Sequence, residues 1–275
     1  MRLIHVHGFS EIAAESKITE EYRRCLLPHF PQIRVEEFKW NTLDNDLTRI
    51  SFQFTESERR TSDAAERLAE IVDNSNEPLI LSGYSLGGAV VLRSLLLRGG
   101  YRGVVAVILL GAAIPSVTRP PDLQAGDECL RLNYYSDYWD DVLKHAYFNA
   151  IGVPAAGGVG LGEPMGFQNL RTGCSHTNDK PFIDTSYCRL LGAICILIAW
   201  SKGIHGPGRA FPPWQPIAVG NKPDWDDIYR YRGYIIQQHF FSRKFRAIEE
   251  GGVHREDCWS DDLWPVLDTI KAKRQ

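Results

Sequence analysis

One stretch limits the possible folds more than any other. Pro78-Leu79-Ile80-Leu81 is a short apolar run suited to a buried strand. It leads at once into Gly83-Tyr84-Ser85-Leu86-Gly87-Gly88 and then into an apolar helical pattern that reaches about Arg98. A strand that turns into a helix this sharply strains the residue at the apex, and the positions two away on either side must be tiny. Gly83 and Gly87 meet that demand, and Gly88 lets the helix approach the sheet closely. Ser85 sits at the apex. The helix start directs its free N–H groups and the positive end of its dipole toward the space beside that serine.

The rest of the chain supplies a setting for such a turn. Strand-like runs at Leu3–Val6, 33–38, 78–81, Val104–Leu110, 129–135 and 167–170 alternate with helical patterns at 12–27, 57–73, 86–98, 139–149 and 184–202. Val104–Leu110 is continuously apolar, as expected of a central parallel strand covered on both faces. Alternation of this kind predicts an α/β fold with a mostly parallel central sheet flanked by helices. A Gly- and Ala-rich loop is expected over 152–162. After Ile204 the character changes to a Pro- and Gly-rich loop over 205–223, and helical signals return at 226–250 and 260–273. The chain therefore divides into a core, 1–204, and a C-terminal extension, 205–275. The extension carries Trp214, Trp225, Trp259 and Trp264, aromatic area that should pack on the core. It would act as a lid if it closes over the mouth of the site, and as a stabiliser if it packs elsewhere.

Gly83-x-Ser85-x-Gly87 between an apolar strand and an apolar helix matches the nucleophile-elbow pattern. The pattern alone is weak, because a structural Gly-Ser turn would satisfy it. The correct flanks give it force. The residues Gly-Tyr-Ser-Leu-Gly-Gly resemble the elbow of lipases, esterases and related α/β hydrolases, and His7-Gly8-Phe9 resembles their oxyanion loop. Phe38-Lys39-Trp40, Tyr135-Ser136 and the Gly-rich segment 157–162 resemble features of a little-characterised group of those hydrolases. The resemblance implies the α/β-hydrolase fold and a serine hydrolase that cleaves a carboxylic ester through an acyl-enzyme. Ser85 would be the nucleophile, and the backbone N–H groups of Phe9 and Leu86 the oxyanion hole. It also implies no metal and no organic cofactor.

In that family the triad runs serine, acid, histidine along the chain. The acid should follow the strand at 129–135, where Asp137, Asp140 and Asp141 are available. Similar proteins read Tyr-Ser-x-x-Asp-x-Val-Leu; this chain is one residue longer, and counting back from Val142-Leu143 favours Asp140. The acidic cluster would otherwise only favour a helix dipole. The histidine should follow the last core strand. His176 fits, although the span between it and Tyr187 is longer than the pattern expects. His145, His205, His239 and His254 are the rivals.

Composition narrows the partners. The chain has 275 residues and a net charge of −3, with 24% charged and 44% hydrophobic residues and no basic stripe, so nucleic acid is not an expected partner. The longest apolar run, Leu190–Trp200, is too short to span a bilayer, and no secretory signal is apparent. Six cysteines without a CxxC pair suit reduced thiols in a cytoplasmic protein. Cys174 with His176 lacks the usual zinc spacing, and His5 with His7 lacks a third ligand. The expected partner is a small-molecule or lipid-like ester. Two other functions use the same features: acyl transfer with the same triad in a drier site, and non-catalytic binding on the hydrolase fold.

Overall fold

The computed structural model describes residues 1–8, 16–40, 50–122, 128–138, 140–176, 185–204, 225–240, 242–250 and 260–272, with 50–59 as backbone only. The core strands are β1 (Arg2–Val6), β2 (Arg34–Phe38), β3 (Leu79–Tyr84), β4 (Val104–Leu110), β5 (Leu130–Tyr135) and β6 (Gln168–Arg171). Helices α1 (Lys17–Leu26), α2 (Ile50–Asp73), α3 (Leu86–Arg98) and α6 (Cys188–Ser201) lie between or after them. A π-helical segment, Val142–Tyr147, runs into the short helix α4 (Phe148–Ile151), and α5 (Ala156–Val159) follows within the stretch expected to be all loop.

The six strands form one parallel sheet in the order β2-β1-β3-β4-β5-β6. The expected fold class is the one observed. Alternation along the strands sends side chains to two cores, as the pleat requires. Ile80, Ala106, Ile108 and Leu110 face α1 and α6, whereas Leu79, Leu81, Val107 and Leu109 face α2 and α3. Helix α6 is buried nearly all round, from Arg189 to Ala199. That explains an apolar run too short for a membrane: it is a core helix enclosed by protein. Among the described residues no helix is long and apolar enough to cross a membrane. Helix α1 begins at Lys17, where Ser16 Oγ caps the Ile18 N–H at 3.2 Å. It is therefore shorter than the 12–27 expected, of which 12–15 fall outside the described residues.

The C-terminal extension corrects one expectation. Residues 226–250 are not helical. They form an antiparallel meander of β7 (Trp225–Tyr231), β8 (Tyr234–His239) and β9 (Phe245–Glu249). The burial pattern explains this: Asp226 and Ile228, then Tyr234, Ile236 and Gln238, then Phe245 and Ala247 are inward at every second position. Aromatic and β-branched residues at that spacing favour strands over a helix. Helix α7 (Leu263–Ala272) follows, within the range expected to be helical.

The meander shares the core of the first sheet. Ile228, Ile236, Phe245 and Ala247 pack in one cluster with α6 and with Leu263 and Leu267 of α7. Tyr134 Oη donates to the Ile228 carbonyl at 2.8 Å, and the Gln168 amide both donates to the Arg230 carbonyl and accepts from its N–H. The extension thus docks on β5, β6 and α6. Residues 205–224 and 251–259, on which the lid expectation also falls, lie outside the described residues.

Candidate active site

The strand order places the site. From β1 the chain moves outward to β2, then crosses back to β3 on the other side of β1 and proceeds outward to β6. The connections after β1 and β3 therefore leave in opposite directions, which makes the carboxyl ends of those two strands the switch point of the sheet, where open α/β sheets commonly bind ligands. His7-Gly8 follows β1 there, and Ser85 follows β3.

The turn at Ser85 is as tight as its sequence requires. Ser85 has φ 54° and ψ −124°, a conformation rare for a residue with a side chain. Backbone bonds hold it there: Ser85 N–H donates to the Leu110 carbonyl at 3.1 Å, and the Ser85 carbonyl accepts from Ala113 and Gly88. A Cβ at Gly87 would stand 2.1 Å from the Val6 carbonyl oxygen, and one at Gly83 2.6 Å from the Gly87 oxygen. No other residue fits either position without moving backbone.

Asp140 and His176 meet beside this turn. Asp140 follows β5, and His176 follows β6. His176 Nδ1 donates to Asp140 Oδ2 at 2.5 Å, and the other carboxylate oxygen accepts from Leu143 N–H at 3.0 Å. Asp140 is fully buried and the His176 side chain is 7% exposed. With Nδ1 committed as donor, Nε2 of the neutral ring is the acceptor. Nε2 is buried and has no hydrogen-bond partner among the described residues. Tyr84, the residue before Ser85, brings ring and elbow together. Its ring stacks on the imidazole with centroids 5.1 Å apart, and its hydroxyl donates to the His176 carbonyl at 3.0 Å. Tyr187 meets the imidazole edge-on at 6.5 Å. No hydrogen bond joins Ser85 Oγ to His176 Nε2 among the described residues.

The other candidates lie apart from this pair. Asp137 is bound to Arg171 at 2.7 Å on the surface, and Asp141 is exposed at the start of the π-helical segment. His145 is exposed on that segment. His239 ends β8, where its Nδ1 accepts from Ser242 N–H at 3.0 Å and its ring packs on Trp225. His205 and His254 lie outside the described residues.

Of the two residues expected to supply oxyanion donors, Leu86 is the first residue of α3, so its N–H has no acceptor within the helix. Phe9 lies outside the described residues. The chain leading to it is held firmly: Trp40 Nε1 donates to the His7 carbonyl at 3.0 Å, and His7 Nδ1 lies 2.6 Å from the Gly8 carbonyl oxygen. A Cβ at Gly8 would stand 3.0 Å from that of Ser85, so the β1 loop passes directly beside the serine.

Sequence reasoning passed over the supports of this arrangement. Tyr84 lay inside the elbow motif, but nothing marked it as the floor of the histidine. The Gly-rich segment has a structural part: Gly157 N–H donates to the Ala112 carbonyl and its carbonyl accepts from Ser136, tying the ends of β4 and β5 together. The Asp140 segment leaves from the end of β5.

No protein-family model matches this sequence, and no curated protein matches it. Several solved structures are similar in outline. A cutinase-like protein from Cryptococcus sp. is 14% identical with a TM-score of 0.38, over 73% of this chain and 93% of that one. The catalytic core of an acetyl xylan esterase from Trichoderma reesei is 13% identical with a TM-score of 0.40, over 72% and 97%. A pyrethroid hydrolase from Sphingobium faniae is 16% identical with a TM-score of 0.38, over 72% and 96%. At such identities and scores the chemistry has to be read from the site itself.

Proposed function

We propose that this chain is a serine hydrolase of the α/β-hydrolase type that cleaves a carboxylic ester, with Ser85 as nucleophile, His176 as base and Asp140 as the acid that orients it. One observation carries the reading. A buried carboxylate binds Nδ1 of an imidazole whose other nitrogen is buried and unpartnered, and that imidazole stacks on the residue next to a strained serine. With Nδ1 committed to Asp140 as donor, Nε2 is the acceptor nitrogen of the ring, and in this reading it takes the proton of the serine at the head of α3.

The chemistry follows from these positions. As Ser85 Oγ attacks the ester carbonyl carbon, its proton passes to His176 Nε2, and the new imidazolium is stabilised by Asp140 through Nδ1–H. Charge on the carbonyl oxygen is received by the Leu86 N–H and, in this reading, by that of Phe9. Collapse of the tetrahedral intermediate breaks the C–O bond, and Nε2–H protonates the departing alkoxide to an alcohol. Water then attacks the acyl-serine with the same base, releasing the acid and restoring Ser85. Beyond the ester and one water, the steps as written call on the chain's own groups. The substrate class in this reading is a small-molecule or lipid-like ester.

The test is covalent labelling with a fluorophosphonate probe, with the adduct located by peptide mass spectrometry. The proposal expects one adduct, on Ser85, and none in Ser85→Ala, together with turnover of short-chain aryl esters by the wild type only. Labelling that persists in Ser85→Ala would overturn it.

A further inference from the structure

The segment that carries His176 is held by the C-terminal extension. It leaves β6 at Thr172 and reaches His176 four residues later. Within the core it is anchored by Thr172 N–H on the Tyr135 carbonyl and Ser175 N–H on the Thr185 carbonyl, both at 2.8 Å, and by the Tyr84 hydroxyl on the His176 carbonyl. Gly173 ties the segment to the extension: its N–H donates to Asp226 Oδ1 on β7 at 2.7 Å. Asp226 is also gripped in a two-pronged ion pair by Arg189 in the first turn of α6, with Nη2 to Oδ1 at 2.8 Å and Nη1 to Oδ2. Both side chains are buried, 1% and 0% exposed. Arg189 Nη2 further reaches Cys174 Sγ at 3.5 Å, and its guanidinium lies over the Phe240 ring at 4.1 Å. One ion pair therefore touches two successive residues of the segment, two and three positions before the histidine.

We propose that Asp226 and Arg189 form a positioning pair that sets the place of the His176 imidazole, so that the C-terminal sheet is part of the catalytic apparatus. The kinetic meaning of this rests on the serine-hydrolase reading. Burying two charges is costly, and a well-packed apolar pair of similar volume commonly serves stability as well or better. What an apolar pair does not supply is direction. A two-pronged guanidinium–carboxylate contact has one geometry, and it fixes the oxygen that receives the Gly173 N–H. The Asp140–His176 bond and, in the proposed mechanism, the approach of Nε2 to Ser85 both depend on where this segment lies. A displacement of about 1 Å at a reacting group can cost about 10²-fold in rate.

The decisive variant is Arg189→Met with Asp226→Leu, which removes both charges and the Gly173 acceptor and leaves the site filled. Three quantities are read: the thermal midpoint, the rate constant of fluorophosphonate labelling of Ser85 across pH, and the downfield proton resonance of His176 Nδ1–H, assigned by its loss in His176→Gln. The expected result is a cooperative unfolding transition, labelling slowed by about 10²-fold, a displaced pH midpoint of labelling, and a shifted or broadened resonance. Arg189→Lys keeps Asp226 paired but loses the two-pronged geometry, and its labelling rate should fall between those of wild type and the double variant. A folded double variant with wild-type labelling, pH midpoint and resonance would reduce the pair to a bolt holding the extension, and the proposal would fall. If the double variant does not fold, Arg189→Lys and Asp226→Glu take its place, and wild-type labelling and resonance in both have the same force. Should wild type fail to label while the resonance still responds to the double variant, the hydrolase reading fails and the positioning pair stands.

Discussion

The ring of Tyr84 lies against the imidazole of His176, nearly parallel to it at 27°, and the Tyr84 hydroxyl holds the His176 carbonyl. One residue thus supports the imidazole through its face and through its backbone, and the same residue precedes Ser85. Tyr84→Phe retains the stack and loses one hydrogen bond, worth about 1 kcal/mol. Its kcat should fall by less than about tenfold. Tyr84→Ala removes the ring as well, and kcat should fall by about 10²-fold with a smaller change in KM. Steady-state kinetics on an aryl ester checks this, and wild-type kcat in Tyr84→Ala would disprove it.

Strain at Ser85 should be visible as stability. A side chain at φ 54° costs of order 1–3 kcal/mol, and glycine is free of that cost. Glycine also enlarges the entropy of the unfolded chain by about 0.5–1 kcal/mol. Ser85→Gly should therefore be inactive yet more stable than wild type, by about 1 kcal/mol in urea unfolding. A destabilised Ser85→Gly would show that the turn is not strained.

Among the three neighbouring aspartates, only substitution of Asp140 should disable the site. Asp140→Asn preserves shape but offers Nδ1 a different partner, so the ring loses its correct tautomer and kcat should drop by about 10⁴. Asp137 holds an exposed pair with Arg171, worth about 0–1 kcal/mol. Asp137→Asn should keep kcat within about twofold and alter the midpoint of unfolding little. Equal losses in the two variants would remove Asp140 from its proposed role.

The histidine of β1 should govern acid stability. His5 is fully buried, with Nδ1 3.2 Å from Ser82 Oγ, and its pKa is lowered to about 3, first by burial and then by His7. An unfolded imidazole takes up a proton near pH 6.5, and the folded one resists until about pH 3. Between these values the unfolded state binds more protons. The stabilisation is thus complete above pH 6.5 and is lost as pH falls toward 3, by about 1.4 kcal/mol per pH unit. His5→Leu leaves Ser82 bonded to Tyr22 at 2.9 Å and should flatten the curve between pH 6 and 4. Urea unfolding at stepped pH measures the slope, and parallel curves for wild type and variant would refute the assignment.

Much of the parallel sheet was legible because its signals are local. A continuous apolar run such as Val104–Leu110, or two glycines flanking a serine, reflects packing within one or two turns of chain. The expectation of a helix over 226–250 failed for a related reason. In Ile228-Tyr229-Arg230-Tyr231 and Tyr234-Ile235-Ile236 both faces carry large side chains, so apolarity alone does not reveal the period, and only pairing across the turn at Arg232-Gly233 makes them strands.

The sequence by itself determined the α/β architecture and the tight turn that carries Ser85, because both follow from residue sizes and periods along a short stretch of chain. It also narrowed the companions of that serine to a few aspartates and histidines. Only the tertiary structure decided which of them meet. Asp137, Asp140 and Asp141 are nearly adjacent in sequence, yet one faces Arg171 in solvent and another is buried against His176, 36 residues away. The link from Asp226 to Gly173 spans 53 residues, and it exists because the C-terminal sheet docks on β6 and α6. Contacts of that reach depend on strand order and on how two layers settle against each other, and neither is written in the spacing of any one segment.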